Sequence, residues 1–247
     1  MLKKIFLTAG ILFALQASAA AVTFESTERQ VTVAELYTSQ GCGNCPPAED
    51  WIRSFRSQSS LWKSFVPLVF HVDYKNKQGW KDPFSSGEFT SRQRQYTQLW
   101  RMNMLLTPCV VIQGRLWANW GRIKTLPTFN QSVGVLRVDQ QGPGRYRVLF
   151  DPKDKKEKKY DAHIALLGFN IESTPAKGEN AGKPLKHDFV VLQYDKVPMD
   201  GFLQPTAAMN LNTRDSRAPR LGLAAWITVS GSPIPVQATG GYLEAAS

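Results

Sequence analysis

The stretch Cys42-Gly43-Asn44-Cys45 carries the residue types and spacing best suited to chemistry. It holds two of the chain's three cysteines, with two residues between them. Thiols so spaced can close into a bridge, exchange with other disulfides or share a soft metal ion, and in each case the thiolate reacts. The flanking residues say how the pair is held. Residues 31–37 (Val-Thr-Val-Ala-Glu-Leu-Tyr) are rich in β-branched and aromatic side chains, as strands are. From Ala48 the apolar residues Trp51, Ile52 and Phe55 recur at helical spacing. Pro46 and Pro47 fall in the first helical turn, where a missing N–H matters little. The cysteines therefore stand where a strand passes into a helix, and the partial positive charge of a helix start favours thiolate.

The beginning of the chain bears on where such chemistry occurs. Lys3 and Lys4, the apolar run 5–15 and the small residues 17–21 have the form of a secretory signal peptide. Its apolar core is shorter than the roughly 20 residues that span a bilayer, and no later segment is long or apolar enough to do so. A product that is periplasmic or secreted, and not membrane-spanning, is expected. Removing residues 1–21 lowers the formal net charge from +10 to +8. A basic exported protein is attracted to anionic envelope surfaces and acidic partners, and also simply gains solubility. Nucleic acid is a poor partner outside the cytoplasm, and no recognition motif for it is present. Three cysteines are too few for a disulfide scaffold, so one close pair and a spare, Cys109, suit a redox or metal site.

Further along, residues 65–74 have a continuous apolar middle, as in a strand buried on both faces. Residues 89–102 read as a second helix, with Phe89, Tyr96, Leu99 and Trp100 facing inward. Thr107-Pro108 opens another strand, and Gln113-Gly114 turns it into residues 115–118. The order β-α-β-α-β-β is α/β in style. Beyond residue 130 the helical period gives way to strand-like runs at 134–138, 146–150, 162–169, 189–194 and 221–229, which read as an all-β sandwich. The charge run 153–159 reads as a solvated tip. Residues 178–183 (Gly-Glu-Asn-Ala-Gly-Lys) lack the spacing of a phosphate loop and read as a surface loop.

Residues 35–42 and 45–48, with 70–74, 79–84, 92–96, 107–108 and 178–183, resemble the exported bacterial family known as domain of unknown function 1223. The resemblance runs over most of the mature chain and implies a thioredoxin-like first domain. The expected organisation is a signal peptide (1–21), an α/β thioredoxin-like domain (22–128) and an all-β sandwich-like domain (129–247). Two departures from the family stand out: residues 119–130 are too short and Pro-broken for the helix that usually closes the first domain, and Cys109 directly follows Pro108.

The resemblance assigns roles residue by residue. Cys42 becomes an exposed attacking thiol and Cys45 the resolving one. Pro108 becomes a cis-proline lying against them, with the Thr107 backbone offered to a substrate strand. Glu35, an acid in an apolar strand, is either a proton acceptor for Cys45 or the partner of a Lys or Arg. His71 shares a strand face with Asp73, as a site residue or as a satisfied core histidine. Cys109 is expected to be reduced and buried. The leading expectation is a thiol–disulfide oxidoreductase without a cofactor, acting on exported protein thiols or a redox partner. The alternatives are a copper-binding protein using Cys42, Cys45 and His71, which would resemble thioredoxin-fold copper chaperones whose cysteine spacing is one residue longer, and a non-catalytic envelope binding protein. A permanently oxidised surface clip remains open for the cysteine pair.

Overall fold

The computed structural model describes residues 22–243 except 157, 202, 213, 214 and 216, so the expected signal peptide lies outside the described residues. The first half of the chain forms β1 (Thr23–Glu25), β2 (Thr32–Thr38), α1 (Pro46–Arg53), β3 (Phe65–His71), α2 (Gly87–Leu99), β4 (Cys109–Ile112) and β5 (Arg115–Leu116). The second half adds β6 (Gly134–Gly142), β7 (Arg145–Pro152), β8 (Tyr160–Phe169), β9 (Ile171–Ser173), β10 (Leu185–His187), β11 (Val190–Pro198), β12 (Thr206–Asn210), β13 (Arg220–Val229) and β14 (Pro235–Tyr242). Residues 119–123 make only a 3-10 turn, Trp120–Arg122.

These strands do not build an α/β thioredoxin-like domain followed by an all-β sandwich-like one. The fold is mostly β, with two α-helices among the described residues. Eight strands from both halves form one mixed sheet in the order β14-β13-β8-β11-β3-β2-β4-β5. The physical reason lies in β3, which is buried along its whole length. Such a strand needs hydrogen-bonding partners on both edges. On one edge β2 pairs with it in parallel from Thr32–Phe65 to Thr38–His71. On the other, β11 joins in parallel at Val190–Val69, and the Val69 N–H donates to the Phe189 carbonyl. The later strands thus extend the first sheet.

A second, antiparallel sheet, β1-β6-β7-β12, covers part of the first. The alternation of β8 shows how both layers are filled. Ala165, Leu167 and Phe169 join the core that includes Ile52, Phe55, Phe89 and Tyr96 from around the helices. Ala162, Ile164 and Leu166 join the core that includes Leu136, Val138, Val148 and Phe150 from the second sheet. Both faces are apolar because both are covered.

The side chains of β2 likewise serve opposite faces, as its period of two requires. Thr38 meets α1 through Glu49, while Glu35 meets α2. The Arg92 guanidinium donates to both Glu35 oxygens, at 2.8 and 2.9 Å, and the Tyr37 and Tyr96 hydroxyls donate at 2.7 and 2.5 Å. Arg92 also lies 5.1 Å from the Trp226 ring centroid, so the same cation ties in β13. Burial and the Glu35 charge push both phenols well above the usual tyrosine value, which keeps them protonated donors. Sequence periodicity places Phe89 and Tyr96 inward correctly, but Leu99 is exposed and Arg92 takes the buried position.

His163 on β8 stacks on Trp226 and Tyr194, with Nδ1 2.7 Å from the Tyr194 hydroxyl and Nε2 3.0 Å from that of Thr228. Burial first, then the charges of Arg92 and Lys196, hold its pKa well below the ordinary histidine value.

Two outcomes follow from this packing. Arg92→Met leaves a buried carboxylate uncompensated and should cost about 3–5 kcal/mol in denaturant unfolding, with Glu35→Leu/Arg92→Met recovering most of it. A loss below about 1 kcal/mol would show that the pair ties nothing together. For His163, the unfolded chain takes up a proton near pH 6.5 that the folded chain refuses. Its contribution to stability is therefore complete above about pH 6.5 and falls on acidification below it. His163→Gln should flatten that acid limb relative to the parent chain in unfolding measured from pH 7.5 to 5; parallel curves would remove His163 as its source.

Candidate functional site

The cysteine pair sits at the turn between β2 and α1. The Cys42 N–H donates to the Ser39 carbonyl and the Cys45 N–H to that of Cys42, both at 3.1 Å, which folds the four residues into a tight turn. Cys45 caps α1 through its own carbonyl, which accepts from the N–H groups of Ala48 and Glu49. Pro46 and Pro47 occupy the first two helical positions, where they remove two donors that would otherwise lack partners. Cys42 and Cys45 are joined in a disulfide, with Cα atoms 5.4 Å apart. The Thr107 carbonyl oxygen lies 3.6 Å from Cys42 Sγ, and the Thr107–Pro108 peptide bond is cis.

Cys42 is not the exposed thiol that the resemblance implies. Its exposure is 2 % and that of Cys45 is 0 %. The connection between β9 and β10 covers them. Asn180 Nδ2 donates to the carbonyls of Gln40 and Cys42, at 3.0 and 2.8 Å, and the Gly43 N–H donates to Glu179 Oε2 at 2.5 Å. Glycines stand on both sides of this approach. A Cβ on Gly43 would come 2.9 Å from Glu179 Oε2, and Gly178 has φ +85° with its Cβ position 3.6 Å from the Gly41 Cα. Residues 178–183 are the surface loop expected, with Glu179 and residues 181–183 exposed, and they lie over the cysteine turn as a lid with Asn180 buried on its underside.

The other expected site residues fall in three places. Glu35 faces α2 and is engaged by Arg92, Tyr37 and Tyr96, so the proton-acceptor role for Cys45 gives way to the alternative of an ion pair. Cys109 is free and buried on β4, opposite Tyr37 in the β2 ladder. Burial pushes its thiol up to about 12, against the lowering influence of Gln93. Of the expected copper set, His71 is held by Asp82 and groups with Glu49 and His187, while the Cys42 and Cys45 sulfurs are bonded to each other.

His71 Nδ1 instead lies 2.7 Å from Asp82 Oδ2. Beside it are Glu49 and His187, whose Oε2 and Nδ1 are in direct contact. Burial alone would lower the His71 pKa, but the charge and hydrogen bond of Asp82, then the charge of Glu49, hold it above the ordinary value. Burial works to raise the Glu49 and Asp82 carboxyls, and their histidine partners hold both below the usual range. Among the described residues, Glu49, His71 and His187 are the set whose ligand atoms converge as a metal would need. This cluster adjoins the cysteine turn: the Gln40 N–H donates to Asp82 Oδ2 at 2.8 Å, and Gln40 Nε2 donates to Ser173 Oγ at 3.0 Å.

Sequence reasoning missed Glu49, Asp82, Asn180 and His187. Glu49 had a local signal, being one helical turn beyond Cys45 on the side of Ile52. The Glu49 partner of His187 and the Cys42 partner of Asn180 are each 138 residues away in sequence.

No curated protein matches the chain. Among solved structures it is similar to protein AGR_C_4864 from Agrobacterium tumefaciens, with TM-score 0.60 and 22 % identity over 87 % of this chain and 94 % of that one. It is also similar to HBP35 of Porphyromonas gingivalis, with TM-score 0.57 and 11 % identity over 88 % of this chain and 76 % of that one. These likenesses speak to the fold. The model of the family described as "Protein of unknown function (DUF1223)" matches residues 33–228, and the chain belongs to that family.

Proposed function

We propose that the protein carries out thiol–disulfide exchange at Cys42–Cys45 with thiols of exported proteins or of a dedicated redox partner, in the periplasm or outside the cell. The observation that carries this reading is a disulfide at the start of a helix, beneath a lid held by only a few polar contacts. A partner thiolate attacks Cys42 Sγ, the bridge breaks, and Cys45 leaves as a thiolate that takes up a proton. A second partner thiol then attacks the mixed disulfide and releases Cys42. The pair gains two electrons and two protons, and the partner gains a disulfide; the reverse sequence oxidises the pair.

Access requires the 174–184 connection to lift. The three hydrogen bonds from Asn180 and to Glu179 hold it, each worth about 0.5–1.5 kcal/mol net. Opening at roughly 2–4 kcal/mol is frequent enough to admit a partner, and slow enough to protect the pair from indiscriminate thiols. A basic surface favours acidic partners. The burial of both sulfurs favours a second reading, a structural clip on the β2–α1 turn.

Equilibration with glutathione or dithiothreitol buffers separates the two. Exchange predicts a potential in the range of redox-active pairs, whereas a clip falls below about −300 mV. In the reduced protein, brief alkylation should label Cys42 ahead of Cys45, and Cys109 should stay unlabelled at pH 8 because its thiol is held protonated. Prior labelling of Cys45 or Cys109 would count against these roles. Asn180→Ala should speed reduction of the bridge about tenfold by removing two of the lid's contacts, measured as the loss of protected cysteines with time. An unchanged rate would mean that the lid does not limit access.

A further inference from the structure

Glu49, His71 and His187 form a cluster for which the exchange chemistry above has no use. They come from α1, the last residue of β3 and the last residue of β10. One ligand atom from each lies within 4.8 Å of the other two. All three are buried, at 6 %, 0 % and 1 % exposure.

The outward atom of each is already held. His71 Nδ1 meets Asp82 Oδ2 at 2.7 Å, Glu49 Oε1 accepts from the Thr38 hydroxyl at 2.8 Å, and His187 Nε2 lies 2.8 Å from Ser173 Oγ. Imidazoles oriented by a carboxylate or another polar group through the second ring nitrogen are the usual surroundings of metal-bound histidine. The inner atoms are left over. His71 Nε2 is buried without a hydrogen-bond partner, and Glu49 Oε2 and His187 Nδ1 have only each other. A buried nitrogen without a partner destabilises the fold by about 1–3 kcal/mol unless something takes its lone pair. Packing alone does not explain why two histidines and a glutamate should converge here.

We infer that Glu49, His71 and His187 bind a divalent first-row transition ion, zinc being the best match. Two imidazole nitrogens and one carboxylate oxygen are a donor set that zinc uses, at about 2.0–2.2 Å per bond. The absence of thiolate from the set disfavours Cu(I), and magnesium and calcium prefer oxygen shells. The ion takes the His71 Nε2 lone pair and enters between Glu49 Oε2 and His187 Nδ1. It displaces the proton they share, which passes to solvent. Because His187 closes the hairpin that carries the lid, a bound ion fastens that hairpin to α1 and β3. The site stands independently of thiol exchange.

The test uses the full mature chain in its oxidised form, stripped with a chelator and titrated with zinc by calorimetry and with cobalt(II) by visible absorption. One ion per chain should bind with proton release, and the cobalt form should show ligand-field bands without thiolate charge transfer. Cys42→Ser/Cys45→Ser should bind equally well, which distinguishes this site from any failure of the exchange reading. His187→Gln and His71→Gln should bind at least tenfold more weakly. The remaining histidine, His163, is engaged by Tyr194 and Thr228 and does not substitute for them. Asp82→Asn keeps all three ligands and should weaken binding about 10–100-fold, so it decides the matter if the histidine variants do not fold. Substoichiometric binding, affinity unchanged in Asp82→Asn, or binding lost with the cysteines would each overturn the site.

Discussion

The pairing of β3 on both of its edges is the constraint on which the rest of the molecule depends. A strand whose faces are both covered cannot leave either edge open, because its unpaired N–H and C=O groups would be buried without partners. β2 fills one edge from nearby in sequence, and β11 fills the other after more than 100 further residues. That second pairing brings the chain just before β11 to the ends of β2 and β3. His187 in β10, and the connection that precedes it, are thereby carried onto α1 and the cysteine turn. The site is a consequence of how the sheet closes, with residues from both halves of the chain.

The alternation of β2 then divides the polar interior into two separate assemblies. Glu35 and Tyr37 face α2, where Arg92 neutralises the carboxylate and the tyrosine hydroxyls complete its hydrogen bonds. Thr38 faces α1 and supports Glu49. Two buried acids thus lie on opposite sides of one strand and do different work. Glu35 is saturated, and a carboxylate with four donors has no reason to take a proton from a cysteine. Glu49 keeps one oxygen for its contact with His187, which can part when a competing positive centre arrives.

What could be read in the sequence divides along the same line. The Cys42–Cys45 turn, the helix start at Pro46, the buried strand expected at 65–74 and the later strand runs all rest on local signals, namely spacing, proline position and apolar period, and all appear near the expected places, the first of those strands ending at His71. The sheet order does not, since nothing in β3 distinguishes a neighbour 33 residues away from one beyond 100. Its continuous apolar run is equally consistent with an α/β sheet and with the mixed sheet that forms, and that ambiguity produced the wrong fold class. Arg92 was hidden for a related reason. Its charge marks an exposed position by rule, whereas here it is buried against a carboxylate that helical periodicity does not reveal. Asn180 sat in a stretch read as a solvated loop, and its role needs the carbonyls of Gln40 and Cys42, which no local pattern announces.

The lid and the histidine cluster share one piece of backbone, and this links them energetically. The hairpin of β9 and β10 ends in His187, pairs His187 with Ile171 and Leu185 with Ser173, and carries the lid in between. Ser173 itself bridges His187 and Gln40. An occupant of the cluster that holds His187 against Glu49 and His71 therefore favours the closed lid over the lifted one. By linkage, whatever lifts the lid weakens the occupant's binding by the same factor. On the exchange and ion-binding proposals above, a partner docking at Cys42 and an ion at Glu49 would compete without touching, because they would favour opposite states of one hairpin. The size of the coupling is set by the ion's differential affinity for the two states of the hairpin: an ion bound about tenfold more tightly with the lid closed would lower the lifted population, and with it exchange, about tenfold.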